Sequence, residues 1–213
     1  MPGDDEHTTA LEARKLTCVR GGRSLFSSLS FKVERGHALI LRGPNGSGKT
    51  SLLRIIAGFL TPDEGDFCWG GVEGKAAVSA LQENIHLIGH LTALKPILSV
   101  AENVALWAAL HGGNGQTTEA LHAMGLAELA ELPVQFLSEG QKRRTALARL
   151  MAFQKPIWLL DEPLAGLDAA SADRLMEAIT GHLSNGGIAV IATHQLLQMD
   201  AALQSELRIG GRP

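Results

Sequence analysis

Eight consecutive residues, Gly43-Pro44-Asn45-Gly46-Ser47-Gly48-Lys49-Thr50, have the composition and spacing of a phosphate-binding loop. The glycines let backbone N–H groups curl around phosphate oxygens with no Cβ in the way. Lys49 is placed to reach the β- and γ-phosphates of a nucleotide, and the Thr50 hydroxyl to meet Mg²⁺. The helix that Ser51 opens adds unpaired N–H groups and a positive dipole end. Asp161 and Glu162 follow the apolar run Ile157-Trp158-Leu159-Leu160, where Asp161 can hold the metal and Glu162 can act as general base for a water attacking the γ-phosphate. His194, just past the apolar run at 188–193, can hydrogen-bond the γ-phosphate and help position that water.

These groups lie far apart in the chain, so a fold must bring them together. A strand at 38–41 feeds the glycine loop, and a helix at 51–57 leaves it, stopped by Gly58 and Pro62. Upstream, alternation predicts two strands, 11–19 and 25–33, joined at Gly21-Gly22, and a short strand at 66–69. Ser99 with Glu102, and Ser138 with Gln141, read as capping boxes that start helices. Asp168 caps a helix over 169–184. Residues 76–98 are poorly legible apart from a strand candidate at 85–88. Uninterrupted apolar strands alternating with helices predict one doubly wound α/β core, whose ligand lies beyond the carboxyl ends of the strands.

The 213 residues suffice for one such domain, and 45% hydrophobic against 19% charged residues indicates a globular chain. A formal net charge of −3 speaks against a nucleic-acid-coating protein, and no nucleic-acid partner is expected. Cys18 and Cys68 read as buried, reduced thiols of a cytosolic protein. No window has the roughly 18 apolar residues of a membrane span. The acidic start Met1-Pro2-Gly3-Asp4-Asp5-Glu6-His7 is unlike a secretory signal. A cytoplasmic chain is expected, reaching a membrane only through a partner.

Together these stretches resemble the ATP-binding cassette ATPases. Gly43 to Thr50 is similar to Walker A, Ile157 to Glu162 to Walker B, Leu164 to Asp168 to the D-loop and His194 to the switch histidine. Leu137-Ser138-Glu139-Gly140-Gln141 resembles the family's LSGGQ signature. The resemblance covers residues 11–209 and implies a P-loop NTPase fold of α/β class, with an N-terminal antiparallel β-subdomain and a helical subdomain. It places the whole chain, 1–213, in one domain, with a core of about 11–75 and 155–209 and a helical part of about 76–154. It implies ATP and Mg²⁺, with catalysis by Lys49, Glu162 and His194. It also implies a homodimer in which Ser138, Gly140 and Gln141 of one copy face the ATP on the Gly43–Ser51 stretch of the other.

Three positions depart from the family pattern. Arg20 falls where an aromatic usually stacks on adenine, in a chain without tyrosine, so Arg20 or Phe26 is expected to serve the base. His90 occupies the Q-loop glutamine position, from which an imidazole can reach the metal shell or water. Glu139 replaces the first signature glycine, and its carboxylate is expected to turn away from the phosphates. The run Lys142-Arg143-Arg144 reads as a solvated helix face or an interface.

Finer details, among them Leu11-Glu12-Ala13, Gly89-His90-Leu91 and Ala192-Thr193-His194-Gln195, are similar to the ATP-binding subunit of the bacterial haem exporter used in cytochrome c maturation. That resemblance implies integral membrane permease partners and a peripheral position on the cytoplasmic face of the bacterial inner membrane. The alternatives are an ATPase of another small exporter, of lipid or drug type, a soluble cassette ATPase, and a P-loop kinase, which the signature disfavours.

Overall fold

Strand β1 (Leu11–Arg20) turns at Gly21-Gly22 into β2 (Arg23–Val33), and both glycines take the positive φ that a tight connection needs. The computed structural model describes residues 10–112 and 116–210. The acidic start at 1–7 and Gly113 lie outside the described residues. Strand β4 (Glu64–Trp69) pairs with β1, and the short β5 (Val72–Glu73) pairs with β4, giving an antiparallel sheet in the order β2-β1-β4-β5. Helix α2 (Gly74–Asn84) packs against β4 and β5 through buried Ala77 and Leu81.

The second sheet is parallel throughout, in the order β6-β7-β8-β3-β9. Its strands are β3 (Ala38–Arg42), β6 (Ile85–Ile88), β7 (Ile157–Asp161), β8 (Ile188–Ala192) and β9 (Gln204–Arg208). Every residue of β7 and β8 is buried, as a sheet covered on both faces requires. One face carries Leu39, Leu41, Leu159 and Val190 against helix α1 (Lys49–Ile56) and the antiparallel sheet. The other carries Ile40, Leu160 and Ile191 against helices α3 (Val100–Leu110), α4 (Thr117–Ala123), α5 (Glu139–Ala152) and α6 (Ala169–Ser184). Strand β6, inside the stretch expected to be helical, is thus an edge of the central sheet.

The capping boxes form as the spacing predicts. Ser99 Oγ accepts from the Glu102 amide at 3.1 Å while Glu102 accepts from the Ser99 amide at 2.7 Å, and Asp168 caps α6 through the Ser171 amide at 2.8 Å. The cysteines divide: Cys18 is buried, whereas Cys68, expected in the core, is only half-buried, because alternate residues of β4 face solvent. No described helix is long and apolar enough to cross a membrane.

At the outer edge of the parallel sheet, rings stack in a column. His86 of β6 lies 4.3 Å from Phe153, which lies 4.7 Å from His111, itself 5.7 Å from Trp107, with Arg149 over the Trp107 ring at 4.6 Å. Burial holds the His86 imidazole well below its ordinary pKa, and the neighbouring Arg149, His111 and Lys155 push the same way. The unfolded chain takes up a proton near pH 6.5 that the folded chain refuses, so stability falls as pH drops below about 6.5. His86→Phe keeps the stack and removes the proton site. Its urea midpoint should fall less between pH 7.5 and 5.5 than that of the parent, and an equal fall would refute this origin.

Candidate nucleotide site

The register of the parallel sheet decides which side chains meet. Asp161 at the end of β7 pairs with Ala192 of β8, and Ala192 pairs with Leu41 of β3. The glycine loop after β3, the Asp161-Glu162 pair after β7 and His194 after β8 therefore emerge at one edge, the carboxyl edge where ligands of such sheets bind. The loop runs from Gly43 to Gly48, and a Cβ on Gly43 would stand 2.2 Å from the Ile209 carbonyl oxygen. Gly48 has φ +108°, and beneath it packs Phe26, whose ring carbon would lie 3.2 Å from a Cβ there.

Lys49 is 7% exposed, and its ammonium donates to the carbonyls of Gly43 at 2.7 Å and Pro44 at 3.2 Å, bridging the loop. An ammonium has three donors, so one remains for a phosphate. Ser47 Oγ is buried without a partner. The Thr50 hydroxyl donates to Asp161 Oδ2 at 2.8 Å. A hydroxyl and a carboxylate oxygen side by side suit a hard cation that keeps water and phosphate in the rest of its shell. Among the described residues no group of three or more His, Cys, Asp and Glu could cage a metal by itself.

Glu162 has φ +46°, the left-handed region that costs a non-glycine residue about 1–3 kcal/mol. The strained turn is held by its own amide on the Ala192 carbonyl at 2.8 Å. It brings Glu162 Oε1 within 3.2 Å of His194 Nε2, but that nitrogen donates to Asn45 Oδ1 at 2.8 Å, leaving Oε1 buried with no donor. Lys49, Thr50, Asp161, Glu162 and His90 line one cavity of about 250 Å³, closed by the loop at Asn45 and Gly46. Gly43, Pro44 and His194 line a neighbouring hollow, and Ser51 reaches the first cavity from the start of α1.

Two sets of expected residues stand apart. Ser138, Gly140 and Gln141 do not line this cavity. Ser138 Oγ accepts from the Gln141 amide at 3.2 Å at the head of α5, beside Gly166. Glu139 turns outward, its side chain 89% exposed and paired with Lys142 at 2.8 Å. Arg20 lines neither cavity at the loop: its guanidinium donates to the carbonyls of Val19 at 2.7 Å and Thr61 at 3.2 Å and lies 3.7 Å from Asp63. Phe26 is 7% exposed, packed under the loop at the wall of a cavity of about 640 Å³.

Arg143 corrects the reading of its run as a solvated face. It is buried and donates to three carbonyls: Gly89 at 2.8 Å, Asp161 at 3.0 Å and Glu162 at 2.9 Å. Burial lowers its pKa, with Asp161 and Glu162 opposing. Arg143, Leu147 and Leu150 recur at helical spacing on the buried face of α5, a signal present in the sequence. Arg143→Met removes these donors from the Gly89 and Asp161 carbonyls, while the Glu162 carbonyl keeps the Ala165 amide at 3.1 Å. A loss of about 2–4 kcal/mol in unfolding free energy is expected by urea titration, and a loss below about 0.5 kcal/mol would contradict it.

The chain matches the ABC transporter family model over residues 26–165, and it belongs to that family, as an ATP-binding domain. Among curated relatives, the cytochrome c biogenesis ATP-binding export protein CcmA of Nitrobacter winogradskyi is 46% identical over 202 residues, 94% of this chain and 98% of that protein. An ABC transporter ATP-binding protein from Pyrococcus furiosus superposes with a TM-score of 0.80 at 25% identity, over 93% of this chain and 98% of that one. The fold is shared by the cassette MJ0796, solved as a dimer with ADP and Pi, at a TM-score of 0.76 and 24% identity over 87% of this chain and 88% of that one.

Proposed function

We propose that this chain is the ATP-hydrolysing subunit of a membrane exporter that delivers haem for c-type cytochrome biogenesis, and that it works as two copies closed over ATP and Mg²⁺. The reading is carried by Lys49, Thr50, Asp161 and Glu162 converging on one cavity, in a chain so similar to CcmA. In catalysis the loop N–H groups and the Lys49 ammonium bind the β- and γ-phosphates. Thr50 and Asp161 would hold Mg²⁺, which when bound would supply neutralisation of phosphate charge. Glu162 Oε1, free of other donors, takes the proton of the attacking water as the P–O bond to the γ-phosphorus breaks, leaving ADP and Pi. His194 sits against Glu162 and orients the water and the γ-phosphate.

Ser138, Gly140 and Gln141 are assigned to the γ-phosphate bound by the other copy, since they do not line their own cavity and head a helix whose N-terminus favours anions. Each ATP then joins two chains, and hydrolysis separates them. Glu162→Gln should sediment as a dimer in ATP and Mg²⁺ and as a monomer without nucleotide, whereas a Lys49→Ala, Glu162→Gln double variant should stay monomeric. A monomer under all conditions would refute closure by the isolated subunit.

Membrane attachment is assigned to the segment between β6 and α3, where Leu91 and Ile97 are 83% and 79% exposed. This segment follows His90 at the cavity, so a permease helix docked there could sense the nucleotide. Leu91→Glu with Ile97→Glu should abolish co-purification with the membrane subunits from the inner membrane while leaving ATP binding within about twofold. Retained co-purification would move the docking surface elsewhere.

A further inference from the structure

The hairpin end of β1 and β2 sets two guanidinium groups directly opposite each other: Arg20 pairs in register with Arg23. Like charges across a strand pair are unfavourable unless something answers them. Arg20 is answered, by Asp63 and two carbonyls. Arg23 makes no ion pair or side-chain hydrogen bond among the described residues and is exposed.

Arg23 stands on the wall of a cavity of about 640 Å³, with Leu25 on the same strand, Asn45 and Gly46 on the glycine loop, and Arg208 across from it. This cavity shares Leu25, Asn45 and Gly46 with the one that holds Lys49 and Thr50. A triphosphate seated on Lys49 has its γ-end at Asp161 and Glu162, so the nucleoside must leave along the shared wall toward Arg23. The chain has no tyrosine, and the aromatic that lines this cavity, Phe26, is 7% exposed with its ring packed under Gly48, which leaves the Arg23 guanidinium as the exposed planar group on the wall.

Resting on the nucleotide reading above, we propose that Arg23 is the base platform of this ATPase, its guanidinium plane stacking on the purine. A planar delocalised cation stacks on aromatic faces and is weakly hydrated, which a lysine does not reproduce. Stacking does not read the edge of a base, so ATP and GTP bind with similar affinity.

The test is equilibrium binding of ATP, GTP and inorganic tripolyphosphate, with Mg²⁺, to the full chain and four variants. Arg23→Ala should weaken ATP and GTP alike by about tenfold and leave tripolyphosphate within twofold. Arg23→Phe should restore most of that loss and Arg23→Lys little of it. Arg208→Ala should leave the ratio of ATP to tripolyphosphate affinity unchanged. The proposal is overturned if Arg23→Ala leaves ATP affinity intact or weakens tripolyphosphate equally, if Lys rescues where Phe does not, or if Arg208→Ala carries the loss. Failure of the parent chain to bind tripolyphosphate and ATP would instead defeat the nucleotide reading itself.

Discussion

A guanidinium taken out of water must have its donors answered, and in this chain the answer joins three pieces of the site. Arg143 stands on α5, whose head is the Ser138-Glu139-Gly140-Gln141 turn, and it grips Gly89 before His90 and the carbonyls of Asp161 and Glu162. Losing one partner of such a buried group costs far more than the group contributes net. Helix α5 therefore cannot shift without disturbing the end of β7 and the segment that carries His90. The parts proposed to meet the γ-phosphate of a neighbouring copy are tied mechanically to those proposed to cleave the phosphate in their own.

The remaining geometry follows from parallel register. Strands β3, β7 and β8 lie buried within five parallel strands whose carboxyl ends share one edge. There Thr50 meets Asp161 and Asn45 meets His194 within hydrogen-bonding reach, although more than a hundred residues separate the members of each pair. The antiparallel sheet supports the loop, with Phe26 and Leu25 packed beneath Gly48.

What the sequence made legible is what local chemistry encodes. The glycine loop, the capping boxes at Ser99 and Ser138, the Asp168 cap and the apolar strands ending at Asp161 and Ala192 announce themselves through spacing alone. Helix α2 did not: it starts at Gly74 without a capping side chain and buries only Ala77 and Leu81. Strand β6 could be suspected at 85–88, but its parallel partner lies about seventy residues on, and no local pattern records that. Arg143 was hidden by its basic neighbours, Lys142 and Arg144, which sit on other faces of the same helix. Arg20 and Arg23 are two residues of one type on one hairpin. Asp63 and the Thr61 carbonyl, about forty residues further on, separate the anchored one from the free one.

The backbone of Glu162 adds a consequence for how this chain has been shaped. A left-handed acidic residue, locked between the Ala192 carbonyl and Pro163, is cocked before any substrate arrives. The work of aiming the carboxylate is done once, as the molecule folds, and is not repeated at every turnover. Selection for sturdiness alone would have put glycine at that bend, so the acid marks a spot where resilience has been surrendered to chemistry.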